Sequence, residues 1–297
     1  MTDLADLLQK TSRTFALSIP VLPEPTNREV MIAYLLFRIA DTFEDAAHWE
    51  PERRIGALRD FNRLLASYSR PEAERLALAW SAAGPSPHAG YRELIAEVPF
   101  VLDAFFALSP AAVDSVSAHV TRSADGMAGY VARTKEGSLV LSDIADLKAY
   151  CYVVAGIVGE MLTELFLLGR ESLSPAAAFL RERAATFGEA LQLVNILKDS
   201  AVDAAEGRSY LPVDGSREEV FALARHDLGV AGEYIRSLQA HGAPRGLVEF
   251  TALPVLLARA SLDKIESRGP GSKISRPEVF FLTQRLKRAL DHNEAAI

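Results

Sequence analysis

Apolar residues recur at three- and four-residue spacing along most of the chain, with Ala, Leu, Glu and Arg filling the positions between them. Period and propensity both favour helix, and convincing alternating strand patterns are absent. Proline punctuates the pattern. Pro20, Pro23 and Pro25 close a first helix, while Pro51, Pro71, Pro110, Pro175 and Pro277 stand where new helices begin, because a first turn tolerates a residue without an N–H. Pro99 and Pro254 fall inside apolar runs and are expected as internal kinks. Gly84-Pro85-Ser86-Pro87, Gly207 to Gly215 and Gly269-Pro270-Gly271 read as loops, none long or polar enough for a domain linker. The expectation is all-α: a bundle of roughly ten helices, a single domain over residues 1–297, with no fixed-period repeat.

Composition narrows the function. Apolar residues make up 49% and charged residues 24% of the chain, so it can bury a core and fold unaided. The net charge of -7 argues against nucleic acid as a partner, since that binding needs a basic footprint. Cys151 is the only cysteine, which excludes an internal disulfide and a cysteine metal site and fits a reducing cytoplasm. Met1 to Leu8 carries Asp3 and Asp6 and lacks a basic segment followed by an apolar run, so it does not read as a secretion signal. Val153 to Leu168 is interrupted by Glu160 and Glu164 and is read as falling short of a membrane span.

The strongest local feature is Arg38-Ile39-Ala40-Asp41-Thr42-Phe43-Glu44-Asp45, which follows the apolar run Val30 to Phe37. On one helix Asp41 and Asp45 share a face, one turn or roughly 6 Å apart, the scale for holding Mg²⁺ ions that also bind phosphate oxygens. A solvated helix face is the ordinary explanation for such acids. Tyr34 and Phe37, a turn above Asp41, are aromatic instead of polar and point to a lined cavity. A second segment repeats the arrangement: Gln192, Asn195 and Asp199 recur at helical spacing inside the apolar run Leu191 to Leu197, with Lys198 and Asp203 beside them. Those polar groups are expected to be buried unless they bind something, with a structural hydrogen-bond network as the alternative. Carboxylates alone repel a diphosphate, so cations must complete such a site, and Arg13, Arg38, Lys198 and Arg208 are the candidates.

These segments resemble the squalene and phytoene synthase family, the head-to-head branch of the trans-isoprenyl diphosphate synthases. Lys10-Thr-Ser-Arg-Thr-Phe15 is similar to the family's N-terminal substrate segment, Asp41-Thr-Phe-Glu-Asp45 to its first aspartate motif, and Asn195-Ile-Leu-Lys-Asp199-Ser-Ala-Val-Asp203 to its second. Glu206-Gly-Arg-Ser-Tyr-Leu-Pro212 resembles the tail of that second motif, and Tyr150-Cys-Tyr-Val-Val-Ala-Gly-Ile-Val-Gly159 the helix that brings a tyrosine to the reacting carbons. The resemblance runs from about Leu8 to Pro212 and departs from the pattern at Lys198, where many members carry arginine.

The resemblance implies an isoprenoid-synthase helix bundle with a central cavity. It implies two prenyl diphosphates, farnesyl foremost, joined through a cyclopropylcarbinyl diphosphate to a squalene-type product. Asp41, Asp45, Asn195, Asp199 and Asp203 would hold Mg²⁺. Ser12, Arg13, Thr14, Arg38, Gln192, Lys198 and Arg208 would grip diphosphate oxygens, Phe15 and Tyr34 would line the prenyl channel, and Tyr150 would stand near the migrating proton or cation. Ala155, Gly156 and Gly159 leave room for a long chain or, more ordinarily, for close helix packing. Asp-Thr-Phe-Glu-Asp is closer to squalene synthases, whereas Tyr150-Cys-Tyr and Gly207-Arg-Ser-Tyr-Leu-Pro look like bacterial carotenoid enzymes. A phytoene- or dehydrosqualene-type product formed without NADPH is therefore the alternative. No glycine-rich nucleotide fingerprint follows a strand, so NADPH use stays open. The chain stops after Lys287-Arg-Ala-Leu-Asp-His, and a cytoplasmic form that meets the bilayer only peripherally is expected. Two other classes fare worse. A non-catalytic binding or assembly relative would have no need of two intact aspartate pairs, and a di-iron bundle would need Glu-x-x-His pairs that are absent.

Overall fold

The computed structural model describes residues 3–12, 15–134, 139–205 and 210–297, with the backbone alone over 201–205. Its helices fall into two compact units, one formed by Met1–Pro20 with Glu24–Thr134 and the other by Val21–Pro23 with Lys135–Ile297. Among the described residues no strand forms, and a β-type bridge pairs Asp143 with Asp214.

The first unit contains α1 (Leu4–Thr11), α2 (Phe15–Ser18), α3 (Thr26–Glu44), α4 (Pro51–Ala66), α5 (Arg70–Ala83), α6 (Ala89–Ala96), α7 (Val98–Phe106) and α8 (Pro110–Arg133). Its axis is α3, which packs against α1, α4, α6, α7 and α8. Ile32, Leu35, Leu36, Ile39 and Phe43 on α3 are fully buried, as helical periodicity requires of a central helix. At the far end Phe43 anchors an aromatic cluster, its ring 4.8 Å from Trp80 and 6.5 Å from Phe61. Helix starts follow the prolines as the sequence suggests at Pro51, Pro71 and Pro110. Pro99 is a correction. It opens α7 after α6 has ended at Ala96, and does not kink a continuous helix, because the first turn has no use for its missing N–H.

The second unit contains α9 (Ile144–Cys151), a π-helical turn (Tyr152–Gly156), α10 (Ile157–Leu167), a 3₁₀ turn (Glu171–Ala176), α11 (Ala177–Ala205), α12 (Arg217–Ala240), α13 (Arg245–Arg268) and α14 (Arg276–Asp291). Here α11 is the axis, packed by α10, α12, α13 and the π turn. Small residues bring the backbones into contact. A Cβ on Gly159 would lie 2.0 Å from the Ala184 carbonyl oxygen, and one on Gly188 2.0 Å from that of Ala155. Gly159 therefore serves close packing. Pro254 lies inside α13 as expected.

Helix number and length also depart from expectation: the elements outnumber the roughly ten expected because short helices such as α2, α6 and α9 stand apart. The π turn splices α9 to α10 into one rod, Ile144–Leu167, of 24 residues with a mean hydropathy of 1.5 in its most apolar window. By length and composition this whole rod could cross a membrane, a test that the buried core helix of a folded protein also passes. Of that window, 56% is buried inside the fold.

Candidate functional site

The first unit assembles its predicted residues around the end of α3. Ser12 caps α1, its N–H donating to the Leu8 carbonyl, and its hydroxyl accepts from the Phe15 N–H at 2.9 Å. The Tyr34 hydroxyl donates to the Thr11 carbonyl at 2.8 Å, and the Phe15 and Tyr34 rings lie 5.4 Å apart. The Arg38 guanidinium sits between two aromatic faces, 5.7 Å from the centre of Tyr34 and 5.4 Å from that of Tyr91. Tyr91 escapes sequence reading because it belongs to α6. It reaches Arg38 because Gly90 lets α6 close on α1, where a Cβ would come within 2.4 Å of the Lys10 carbonyl.

Arg38 Nη1 pairs with Asp41 Oδ2 at 3.3 Å, whereas Arg38 Nε is buried and has no hydrogen-bond partner among the described residues. Asp41 keeps 28% of its side-chain surface open, so it lies in a recess, walled by protein yet reachable. Burial pushes its carboxyl up to about 6; Arg38 opposes the shift and the neighbouring Asp45 adds to it. Asp45 is exposed and caps α3, its N–H donating to the Asp41 carbonyl at 2.8 Å. Asp41, Glu44 and Asp45 thus gather at the negative end of the α3 dipole, in a last turn without a basic residue. The hard oxygen donors of this turn suit Mg²⁺. Arg54 donates to the Glu44 carbonyl and fixes that end of the helix.

The second unit carries the other set on α11 and α9. Lys198 Nζ donates to Asn195 Oδ1 at 3.0 Å and pairs with Asp199 Oδ2 at 3.2 Å. The expectation that these polar groups are buried is corrected: Asn195 is exposed, Asp199 keeps 45% of its side-chain surface open, and Gln192 is half-buried. The same spacing turns Leu193, Val194, Ile196 and Leu197 inward, so the apolar run supplies the core and the polar positions the opposite face. The Gly271 N–H donates to the Lys198 carbonyl at 2.8 Å, tying the α13–α14 loop to this turn. Tyr150 is buried and stacks on Tyr210 with ring centres 5.0 Å apart. Arg13, Thr14 and Arg208 lie outside the described residues, as does the Asp203 side chain. Among the described residues, no three His, Cys, Asp or Glu side chains converge as a metal cluster.

The second unit also holds acids that the sequence did not single out. Glu189 on α11 and Asp227 on α12 are 8% and 3% exposed, and Asp227 Oδ2 has no hydrogen-bond partner among the described residues. Burial raises Glu189 to about 7, with Asp227 and Glu160 adding to the shift and Lys148 opposing it. Burial likewise raises Asp227 to about 6, against His226 and Lys148. Room for Glu189 comes from Gly156, where a Cβ would approach Glu189 Oε1 to 3.0 Å. Glu189 lies one helical turn before Gln192, the one signal that could have found it.

The model of the squalene/phytoene synthase family matches residues 8–280. A squalene synthase of Eremothecium gossypii is 33% identical over 232 residues, covering 77% of this chain and 50% of the relative. That of Schizosaccharomyces pombe is 32% identical, covering 69% and 43%. The chain spans about half the length of the curated relatives it matches. Among solved structures, the complex of TcSQS with the ligand BPH1237 superposes with a TM-score of 0.74 at 25% identity, covering 97% of this chain and 87% of that one. A dehydrosqualene synthase bound to a ligand shares the fold, with a TM-score of 0.64 at 23% identity, covering 97% and 95%. An all-helical fold with two acidic helix turns and a family match over nearly its whole length defines the class: the chain belongs to the squalene/phytoene synthase family.

Proposed function

We propose that the protein joins two prenyl diphosphates, farnesyl diphosphate foremost, head to head through a cyclopropylcarbinyl diphosphate to a squalene-type product. The observation that carries this reading is the pairing at the end of α3. Among the described residues the buried Arg38 Nε has no acceptor, and it lies beside Asp41, a carboxylate that burial holds above its ordinary range. Arg38 would take acceptor oxygens from a bound Mg²⁺-diphosphate, and Asp41 and Asp45 would hold its cation. Asn195, Asp199 and Asp203 would form the second set of Mg²⁺ ligands. Bound Mg²⁺ would supply Lewis-acid charge that eases departure of the diphosphate.

The chain's own residues do the rest. Ser12, Arg13, Thr14, Arg38, Gln192, Lys198 and Arg208 hold diphosphate oxygens. Phe15 and Tyr34 offer aromatic faces to the prenyl chain, and Tyr150, backed by Tyr210, offers one to an allylic cation and a phenol to a migrating proton. The reaction takes place in the cytoplasm, with peripheral contact to a bilayer that receives the apolar product.

The test is incubation with farnesyl or geranylgeranyl diphosphate and Mg²⁺, with and without NADPH, followed by product analysis. A squalene-type hydrocarbon formed from farnesyl diphosphate with NADPH supports the reading. A dehydrosqualene- or phytoene-type product formed without NADPH moves the assignment to the alternative branch. Absence of any coupled product with Mg²⁺ present overturns it.

A further inference from the structure

The last helix carries a surface that the chemistry above leaves unused. α14 is held to the second unit by a narrow seam: Leu286 is its one buried residue, Lys264 pairs with Glu278 at 2.7 Å, and Arg245 with Asp291. Its start is fixed by a capping box between Ser275 and Glu278. Facing away from that seam, Phe280 and Phe281 are 66% and 65% exposed, side by side in the sequence. Helical spacing places Arg285 and Arg288 on the face of Phe281, whereas Lys287 Nζ turns to the seam, 3.9 Å from Glu249 Oε1. All three are exposed.

Charge concentrates in the same segment. From Ser267 to Arg288 the chain has Arg268, Lys273, Arg276, Arg285, Lys287 and Arg288 against a single acid, Glu278, in a protein whose net charge is -7. Among the described residues Arg268, Lys273, Arg276, Arg285 and Arg288 form no ion pair, whereas Arg181, Arg183, Arg225 and Arg245 elsewhere in the same unit all do. Adjacent phenylalanines exposed beside unneutralised cations match a surface that is anionic outside and apolar beneath. Such a partner desolvates the rings and the charges at different depths. A second copy of this face would oppose like charges, and a nucleic acid would leave two rings pointing in different directions only partly stacked.

We propose that the Phe280–Phe281 face of α14, with its flanking cations, docks the protein on an anionic bilayer. The basis is α14 alone; the peripheral location in the proposed function gives the docking its purpose. The rings enter the boundary between headgroup and acyl chain while Arg285 and Arg288 lie among the phosphates.

Flotation of the purified chain with vesicles of phosphatidylcholine, alone or mixed with phosphatidylglycerol, tests this. The bound fraction should rise with phosphatidylglycerol, fall as salt is added, and drop by roughly 5-fold or more in F280S/F281S and in R285E/R288E. Circular dichroism and turnover of detergent-dispersed substrate should be unchanged in both variants. Equal flotation with and without phosphatidylglycerol, or unreduced flotation of both variants, overturns the proposal. So does loss of a wild-type dimer in F280S/F281S, or an RNA oligonucleotide that binds the same face and competes with vesicles. Flotation needs no turnover, so a failed coupling assay leaves this result standing, and the reverse also holds.

Discussion

The acidic turns of α3 and α11 use the same one-turn spacing in opposite surroundings. Asp41 sits in a recess, paired with an Arg38 that two aromatic rings embrace, at a helix end already rich in negative charge. Asp199 stands open on a helix flank, held by a flexible Lys198 that also bonds Asn195. The first turn is pre-organised and desolvated, while the second is open and held by an exposed pair. Identical spacing therefore says where carboxylates point. The chain around them decides how much they need a cation.

The largest expected effect tests whether both turns serve one reaction. Asp41→Asn and Asp199→Asn should each lower turnover by about 10³-fold or more, with helicity unchanged by circular dichroism. The two should part in stability. In chelator-containing buffer at pH 8, Asp41→Asn should stabilise the fold by about 1–2 kcal/mol, because it removes a desolvated charge. Asp199→Asn should stay within about 0.5 kcal/mol, because its partner and its exposure keep it comfortable. Equal stability changes in the two variants would erase the distinction drawn here.

Next in size is Arg38→Ala. It leaves Asp41 in its recess without a counter-charge, and should cost about 1–3 kcal/mol of stability at pH 8 together with about 10²-fold in turnover. Urea unfolding and product assays measure the two. A variant that loses turnover with full stability would show that Arg38 acts on substrate alone.

How far the sequence could reach follows the same division. Helices, their proline starts and the acid pairs are legible because each depends on neighbours three or four positions away. The partial burial of Asp41 could be anticipated because Tyr34 and Phe37 precede it on the same helix. The exposure of Asn195 was misjudged, since an apolar run was read as burying everything within it, when the helix presents two faces. Tyr91, Glu189 and Asp227 stayed hidden because each gains its role from a different helix: α6 closing on α1, or α11 meeting α12 and the π turn. Pro99 was misplaced because a proline in an apolar run reads alike whether it kinks a helix or starts one.

Glu189 and Asp227 extend the comparison to carboxylates that pair with no arginine among the described residues. Both pKa values stand above the ordinary carboxylate range, so the folded state binds protons that the unfolded chain has released. Stability from this pair is therefore fullest below about pH 4 and is lost as pH rises to about 7. The facing groups are Lys148, Glu160 and His226. E189Q/D227N should gain about 1–3 kcal/mol at pH 8 and little at pH 5, read by thermal unfolding at the two values. A gain that is the same at both would mean that packing and not charge sets the cost.

The smallest effect concerns Lys198, where the family resemblance leads one to expect arginine. In the open turn of α11 its ammonium is a point charge between Asn195 Oδ1 and Asp199 Oδ2, with 26% of its side chain exposed. An exposed pair of this kind contributes little to stability, and a planar fork has no walls here to hold it in one orientation. Lys198→Arg should therefore change KM by less than about 3-fold and leave kcat unaltered, since either cation can meet a diphosphate oxygen. Arg38→Lys should behave otherwise. The guanidinium there stacks on two rings and meets Asp41 through Nη1, so an ammonium forfeits the stacking and the planar donor set offered to a diphosphate, and about 10-fold or more in kcat/KM should go with them. Steady-state kinetics of the two conservative swaps compares the turns directly. Similar losses in both would mean that the α11 turn is as enclosed as that of α3 when substrate is bound.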